Sequence, residues 1–194
     1  MKNTQRSLSI LLLSTILLVF LLPTPTLSFS LVANANVNKN LEIRLAKLPT
    51  DLPAIQSCRR SAYAGKPVNL SAAVSFCNAD QIQKPDYTCV IAVDKSTKEV
   101  LGTADLNVNT VVLNNVYVRE EARKRGIAKL MMEAVEEAIE DKSKKLKLTV
   151  MSKNVPAVSL YKKLGFDAPG VYGGLDALSS VTPFNFLMEM EKSL

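Results

Sequence analysis

The sequence has no histidine among its 194 residues, and only three cysteines, Cys58, Cys77 and Cys89, none at Cys-x-x-Cys spacing. The ligands that zinc sites use most are therefore absent or unclustered, and no metal is expected. An odd cysteine count argues against a disulfide framework, so the thiols are expected to be buried and inert in a reduced compartment. Glycine is scarce where nucleotide folds need it. The basic turn before the central amphipathic helix carries one glycine, Gly126. That excludes both a Walker loop and a Gly-x-Gly-x-x-Gly dinucleotide turn there. Acidic residues are missing from the N-terminal stretch, where none precedes Glu42. Lys2, Arg6 and Lys39 lie in that stretch; setting them aside from the 24 basic residues leaves 21 against 18 acidic, or +3 instead of +6. So small an excess gives no reason to expect a nucleic-acid partner. The cluster Lys142, Lys144, Lys145 and Lys147 reads as a solvated helix end, where cations suit the dipole.

What the sequence does contain is a strand-like run, Val111 to Val118, followed by Arg119-Glu120-Glu121-Ala122-Arg123-Lys124-Arg125-Gly126 and then an amphipathic helix from Ile127 onward. The first amides of a helix have no partners within it, and the macrodipole makes that end positive. Arg123, Lys124 and Arg125 add full charges, so the turn is expected to grip an anion such as a pyrophosphate. Gly126 lets the backbone approach the phosphates closely.

Two blocks carry a resemblance. Arg123-x-x-Gly126-x-Ala128 is similar to the Arg/Gln-x-x-Gly-x-Gly/Ala signature of the GNAT superfamily of acyl-CoA N-acyltransferases. Downstream, Asn154-x-x-Ala157-x-x-x-Tyr161-x-x-x-Gly165-Phe166 resembles the same family's second motif at every marked position. The likeness covers roughly Leu41 to the C-terminus and looks closest to plastid-type enzymes of plants and algae. It implies an α/β fold, a mixed and mostly antiparallel sheet of six to seven strands with helices on both faces. It implies acetyl-CoA as acyl donor, its pantetheine arm lying along the backbone of Val116, Tyr117 and Val118. Its pyrophosphate would sit on the amides from Arg123 through Lys124, Arg125, Gly126 and Ile127 to Ala128. It further implies Asn154 as a cofactor contact, with a simple helix-start residue as the alternative. Tyr161 is implied as the acid that protonates the leaving thiolate, with a core aromatic as the alternative. The base is open. Where some relatives carry a glutamate, five residues before Asn154, this chain has Thr149. Asp105, Tyr117 or a held water remain. Protein N-termini or lysine side chains are the expected acceptors, a small amine or a non-catalytic acetyl-CoA sensor being the other readings. The expected state is monomeric.

Before this domain, residues 1–28 read as a signal-like targeting segment and 29–40 as a transit-like or linker stretch, leaving 41–194 as the catalytic domain. Lys2 and Arg6 precede the apolar run Leu8 to Leu22, and Pro23 and Pro25 end any helix. That run of roughly 15 residues suits a signal core and is short for a membrane span. The two-part leader resembles those of algae with secondary plastids, so a plastid address and no stable membrane association after leader removal are expected. Secretion and an uncleaved anchor are the alternatives. Within the domain the pattern predicts strands over Leu41–Leu48, Tyr87–Val93, Val100–Val108, Val111–Val118, Leu146–Met151 and Phe186–Met190. Helices are predicted from Asp51, as N-cap, to Ala64, and over Leu70–Phe76, Ala128–Asp141 and Pro156–Leu164.

Overall fold

Alternation is what builds the sheet. In the strand Tyr87–Asp94, Val90 and Ala92 turn to one face while Cys89, Ile91 and Val93 turn to the other, and all five are buried. A strand buried on both sides must lie centrally and be covered by helices on both faces. The computed structural model describes residues 39–66, 70–168 and 187–194. The leader up to residue 38, the connection at 171–184 and Phe186 lie outside the described residues. Six strands form one sheet in sequential order: β1 (Leu41–Leu45), β2 (Tyr87–Asp94), β3 (Val100–Asn107), β4 (Val112–Val118), β5 (Lys145–Met151) and β6 (Leu187–Ser193). Every neighbouring pair is antiparallel except β4 with β5. The helices are α1 (Leu52–Arg60), α2 (Ser71–Asn78), α3 (Ile127–Ala138) and α4 (Val155–Lys163).

One core layer joins α3, through Ile127, Met131, Ala134 and Val135, to Val90, Ala92, Ala104 and Leu106 of the sheet. The opposite layer joins Ile55 and Cys58 of α1 to Cys89, Ile91 and Val93. Each Val, Leu, Ile or Met side chain so removed from water stabilises the fold by about 1.5–3 kcal/mol. α3 has its polar side in water, where Lys129 and Glu133 pair at 3.3 Å. It stops at Ala138, short of the predicted Asp141, because Ile139 turns extended (ψ 117°) and is buried in the core. The predicted first helix ends at Arg60 and continues to Tyr63 only as a 3-10 turn.

Two local expectations are corrected. Asp51 stands at the start of α1 but makes no side-chain cap. Its carboxylate is held instead by Arg44 at 2.6 and 2.9 Å and by the Lys47 amide at 2.6 Å, which fastens the β1–α1 turn. The Arg44 hydrogen bonds hold the Asp51 carboxyl below its ordinary range. The lysine cluster divides: Lys142 does sit at a helix end, its Nζ donating to the Glu136 carbonyl in the last turn of α3, but the other three do not. Lys145 and Lys147 are on β5, paired with Glu191 and Glu189 of β6, while Lys144 pairs with Asp141.

The feature that makes a site is where β4 and β5 part. Their ladder holds only Val112 opposite Lys147 and Leu113 opposite Leu148. Beyond it, β4 still pairs with β3 out to Val118, and β5 with β6 out to Met151. On β4 the register shifts between Thr103 and Asp105 of β3, and Asn115 takes φ +51°. This is a bulge, and bulges bend a strand and increase its twist. Two asparagines in an otherwise apolar run, in the shape that asparagine tolerates better than β-branched residues, are its local cause.

Candidate active site

Two cavities flank the parted strand. The first has a volume of about 440 Å3 and lies between the turn after β4 and α4. Val118, Arg123, Lys124, Gly126, Ile127 and Ala128 line one wall, and Pro156, Ser159 and Leu160 the other. The sequence motif thus becomes a groove. After β4 the chain makes a 3-10 turn at Glu120–Ala122, buries Ala122, and passes through two left-handed residues, Lys124 (φ +61°) and Gly126 (φ +76°). Such turns bring successive amides to one side. The first hydrogen bond of α3 runs from the Leu130 amide to the Gly126 carbonyl, 3.2 Å. The amides of Ile127, Ala128 and Lys129 therefore precede the helix's own bonding. A Cβ placed on Gly126 would meet no atom within 4 Å, so this position opens onto space. Amides, exposed Arg123 and Lys124, and that open floor all suit the pyrophosphate end of coenzyme A. Arg123 also steadies the turn, its Nε donating to the Val118 carbonyl at 3.1 Å. Arg125 is not among the residues that line the groove.

The second cavity, about 450 Å3, lies on the other side of β4, between that strand, α2 and the 3-10 turn Ser61–Tyr63 that follows α1. Asn115, Val116 and Tyr117 form its floor, and Ala62, Tyr63 and Phe76 are among its walls. Tyr117 packs on the α1 side of the sheet and Val116 and Val118 on the α3 side; Val116 and Tyr117 line the second cavity and Val118 the groove. The three rings form an edge-to-face chain, Tyr63 to Phe76 at 6.2 Å and Phe76 to Tyr117 at 6.0 Å. The sequence reading missed Asn115, Tyr63, Phe76 and Ser61. The one local signal was the pair of asparagines inside a strand.

Asp105, a candidate base, is corrected. It is fully buried in an ion pair with Arg59, itself fully buried. Its second oxygen accepts from the Asn115 amide at 2.9 Å. Burial pushes its carboxyl up, against the pull of Arg59 and Asn115. With both oxygens engaged it anchors α1 and the bulge to β3 and does not reach an incoming amine. Arg59 also donates to Thr103 Oγ1 at 3.3 Å and lies 5.1 Å from the Phe76 ring centroid. Thr149 is an exposed β5 residue and supplies no carboxylate. Asn154 caps α4, its side chain accepting from the Ala157 amide at 3.4 Å, and is exposed. Tyr161 is buried on α4 with its ring 5.7 Å from that of Phe166. Burial pushes its phenol up to about 12. It does not line the first cavity. The three cysteines are free and buried. Among the described residues no three metal-ligating side chains gather.

A family model described as the acetyltransferase (GNAT) family matches residues 55–166. Solved structures share the fold. A GNAT-family acetyltransferase from Staphylococcus aureus Mu50 is 14% identical, with 78% of this chain and 99% of that one covered at a TM-score of 0.57. A GCN5-related N-acetyltransferase from Kribbella flavida is 22% identical, with 80% and 98% covered and a TM-score of 0.53. A spermidine N-acetyltransferase from Vibrio cholerae, solved with CoA and spermine, is 18% identical, with 79% and 95% covered and a TM-score of 0.52. The family match spans more than half of the sequence and contains both the Gly126 turn and the Asn154 to Phe166 block, and the chain therefore belongs to the GNAT family of acetyl-CoA-dependent N-acetyltransferases.

Proposed function

We propose that the protein acetylates the α-amino groups of protein N-termini, with lysine side chains as a second class of acceptor. The observation that carries this reading is the parting of β4 and β5, with an anion-binding groove on one side and, on the other, an aromatic cavity with no carboxylate among the described residues that line it. Bound acetyl-CoA supplies an activated thioester carbonyl. The chain's own part is positional. The Arg123–Ala128 turn holds the phosphates, and the edge of β4 beyond Leu113, which no described strand pairs, takes up an extended arm as a further strand would be taken up. The acceptor nitrogen attacks the carbonyl carbon, a C–N bond forms, and the C–S bond breaks. The proton for the departing thiolate is assigned to Tyr161 on the family motif and not on its position, since its ring packs in the core against Phe166 and lines neither cavity; the phenol regains its proton from solvent, which also takes the nitrogen's surplus proton. A phenol raised to about 12 is protonated at neutral pH, as an acid must be.

The want of a strong base selects among amines. An α-amino group titrates near 8 and a lysine near 10.4, so freeing a lysine costs about 3 kcal/mol more at neutral pH. A cavity that supplies only neutral oxygens therefore favours N-termini. The proposal includes a place of work: the leader over residues 1–40 addresses the protein to a plastid, whose stroma supplies acetyl-CoA. Purified protein incubated with labelled acetyl-CoA, a peptide library and a small-amine panel tests the activity. Label on peptide α-amines is expected, and label on small amines alone overturns the reading. A fluorescent-protein fusion of residues 1–45 tests the address, which fails if the label collects only in the medium.

A further inference from the structure

The second cavity has two polar groups on its floor whose protons are already committed. The Asn115 amide donates to Gln81 Oε1 at 2.5 Å and to Asp105 Oδ2 at 2.9 Å. Turning the amide over would set its oxygen against the Asp105 carboxylate, so the orientation is fixed. What Asn115 has left is Oδ1, which only accepts. Tyr117 Oη lies 2.9 Å from Ser61 Oγ. Ser61 Oγ spends its one proton on the Cys58 carbonyl at 2.6 Å, so Tyr117 donates to Ser61. Its remaining capacity is again that of an acceptor. Both groups are braced from behind, Asn115 by the fully buried Arg59–Asp105 pair and Tyr117 by Ser61 at the start of the 3-10 turn after α1.

Beside these two oxygens stand the Tyr63, Phe76 and Tyr117 rings and the small side chains Ala62 and Ala73. The cavity's 450 Å3 is near the small end for a ligand pocket, roughly 300–1,000 Å3. It fits one residue and its flanking backbone, not a folded surface. Among the described residues no acidic side chain lines it, so these offer nothing to the second cation of a polyamine. We infer that Asn115 Oδ1 and Tyr117 Oη receive the two N–H groups of the acceptor amine, leaving its lone pair for the thioester, and that the aromatic wall selects polypeptide N-termini whose first residue is apolar. This rests on the N-terminal reading above and names its substrate class.

The test is a set of peptides identical except for the first residue, with initial rates measured at saturating acetyl-CoA. Met, Leu and Phe are expected to exceed Gly, Ser and Asp at least tenfold in kcat/KM. Ala62→Leu fills the wall and should shift preference toward the smaller first residues. Asn115→Gly keeps the left-handed backbone (φ +51°) without strain and removes the acceptor oxygen. It should raise the peptide KM about tenfold while leaving coenzyme A affinity unchanged. Tyr117→Phe, which keeps the ring, should raise the same KM severalfold, and it carries the test if the glycine variant does not fold. N-termini acetylated at equal rates whatever their first residue overturn this inference and leave the N-terminal reading standing. Acetylation confined to lysines or polyamines overturns both. An Asn115→Gly variant that loses coenzyme A affinity along with peptide affinity shows Asn115 to be structural and overturns its part.

Discussion

The Arg59–Asp105 pair gives an asymmetric prediction. Both side chains are fully buried, and the pair ties α1 to β3 beneath the acceptor cavity. Asp105→Ala strands a guanidinium that cannot shed its charge. Breaking a buried pair in this way costs about 3–5 kcal/mol, a large share of the roughly 5–15 kcal/mol that holds a domain of this kind together. It also takes a partner from Asn115. Arg59→Met strands a carboxylate instead, and a carboxylate can neutralise by taking a proton. Its pKa is already raised by burial, and losing Arg59 removes a lowering influence. The sign follows. A group whose folded pKa lies above its unfolded one adds stability below the unfolded value and loses it as pH rises through the folded value. Arg59→Met should therefore be least impaired near pH 4–5, relative to wild type, and most impaired near pH 8, whereas the Asp105→Ala deficit should show no such relief in acid. Urea unfolding followed by circular dichroism at pH 5 and pH 8 measures both. A deficit below about 1 kcal/mol for Asp105→Ala, or one for Arg59→Met that does not change with pH, would refute the reasoning.

Tyr161→Phe keeps the ring against Phe166 and removes only the acid. Turnover should fall about a hundredfold, while coenzyme A affinity stays within about threefold, or about 0.6 kcal/mol; lost stability with unchanged turnover would make Tyr161 a core residue. Because burial raises the Tyr161 phenol to about 12, the pH–rate profile should rise as the acceptor amine loses its proton and show no descending limb from Tyr161 below about pH 11. A fall near pH 10 that disappears in Tyr161→Phe counts against the assignment. Arg44→Met should cost about 1 kcal/mol at pH 7, the upper end for a partly exposed pair, because its contact with Asp51 is two-pronged. Since Asp51 is held below its ordinary pKa, that difference should shrink as pH falls through the folded Asp51 pKa.

The groove was legible because it rests on backbone and local order. A strand, a basic turn with one glycine and an amphipathic helix are contiguous, and hydrophobic period and turn chemistry mark each of them. The helix boundaries missed by a few residues where tertiary burial overrode the local pattern, as at Ile139. On the acceptor side only Tyr117 was legible, named as a possible base; the groups around it were not. Asn115, Tyr117, Phe76 and Ser61 come from three separate segments and meet only after β2 and β3 bring α1 and α2 over β4. Asp105 looked like a base because an acidic residue in a strand invites that reading, and its partner Arg59 lies 46 positions away.

The central claim is that the turn from Arg123 to Ala128 holds the phosphates of acetyl-CoA, and Gly126→Val tests it most directly. The new side chain enters space that no protein atom occupies within 4 Å of its Cβ. Its cost to the fold is then chiefly the left-handed φ of +76°, about 1–2 kcal/mol, which thermal unfolding reads separately. Calorimetric titration with coenzyme A should show affinity at least tenfold weaker, or about 1.4 kcal/mol. A folded Gly126→Val variant that binds coenzyme A as tightly as the parent contradicts the account.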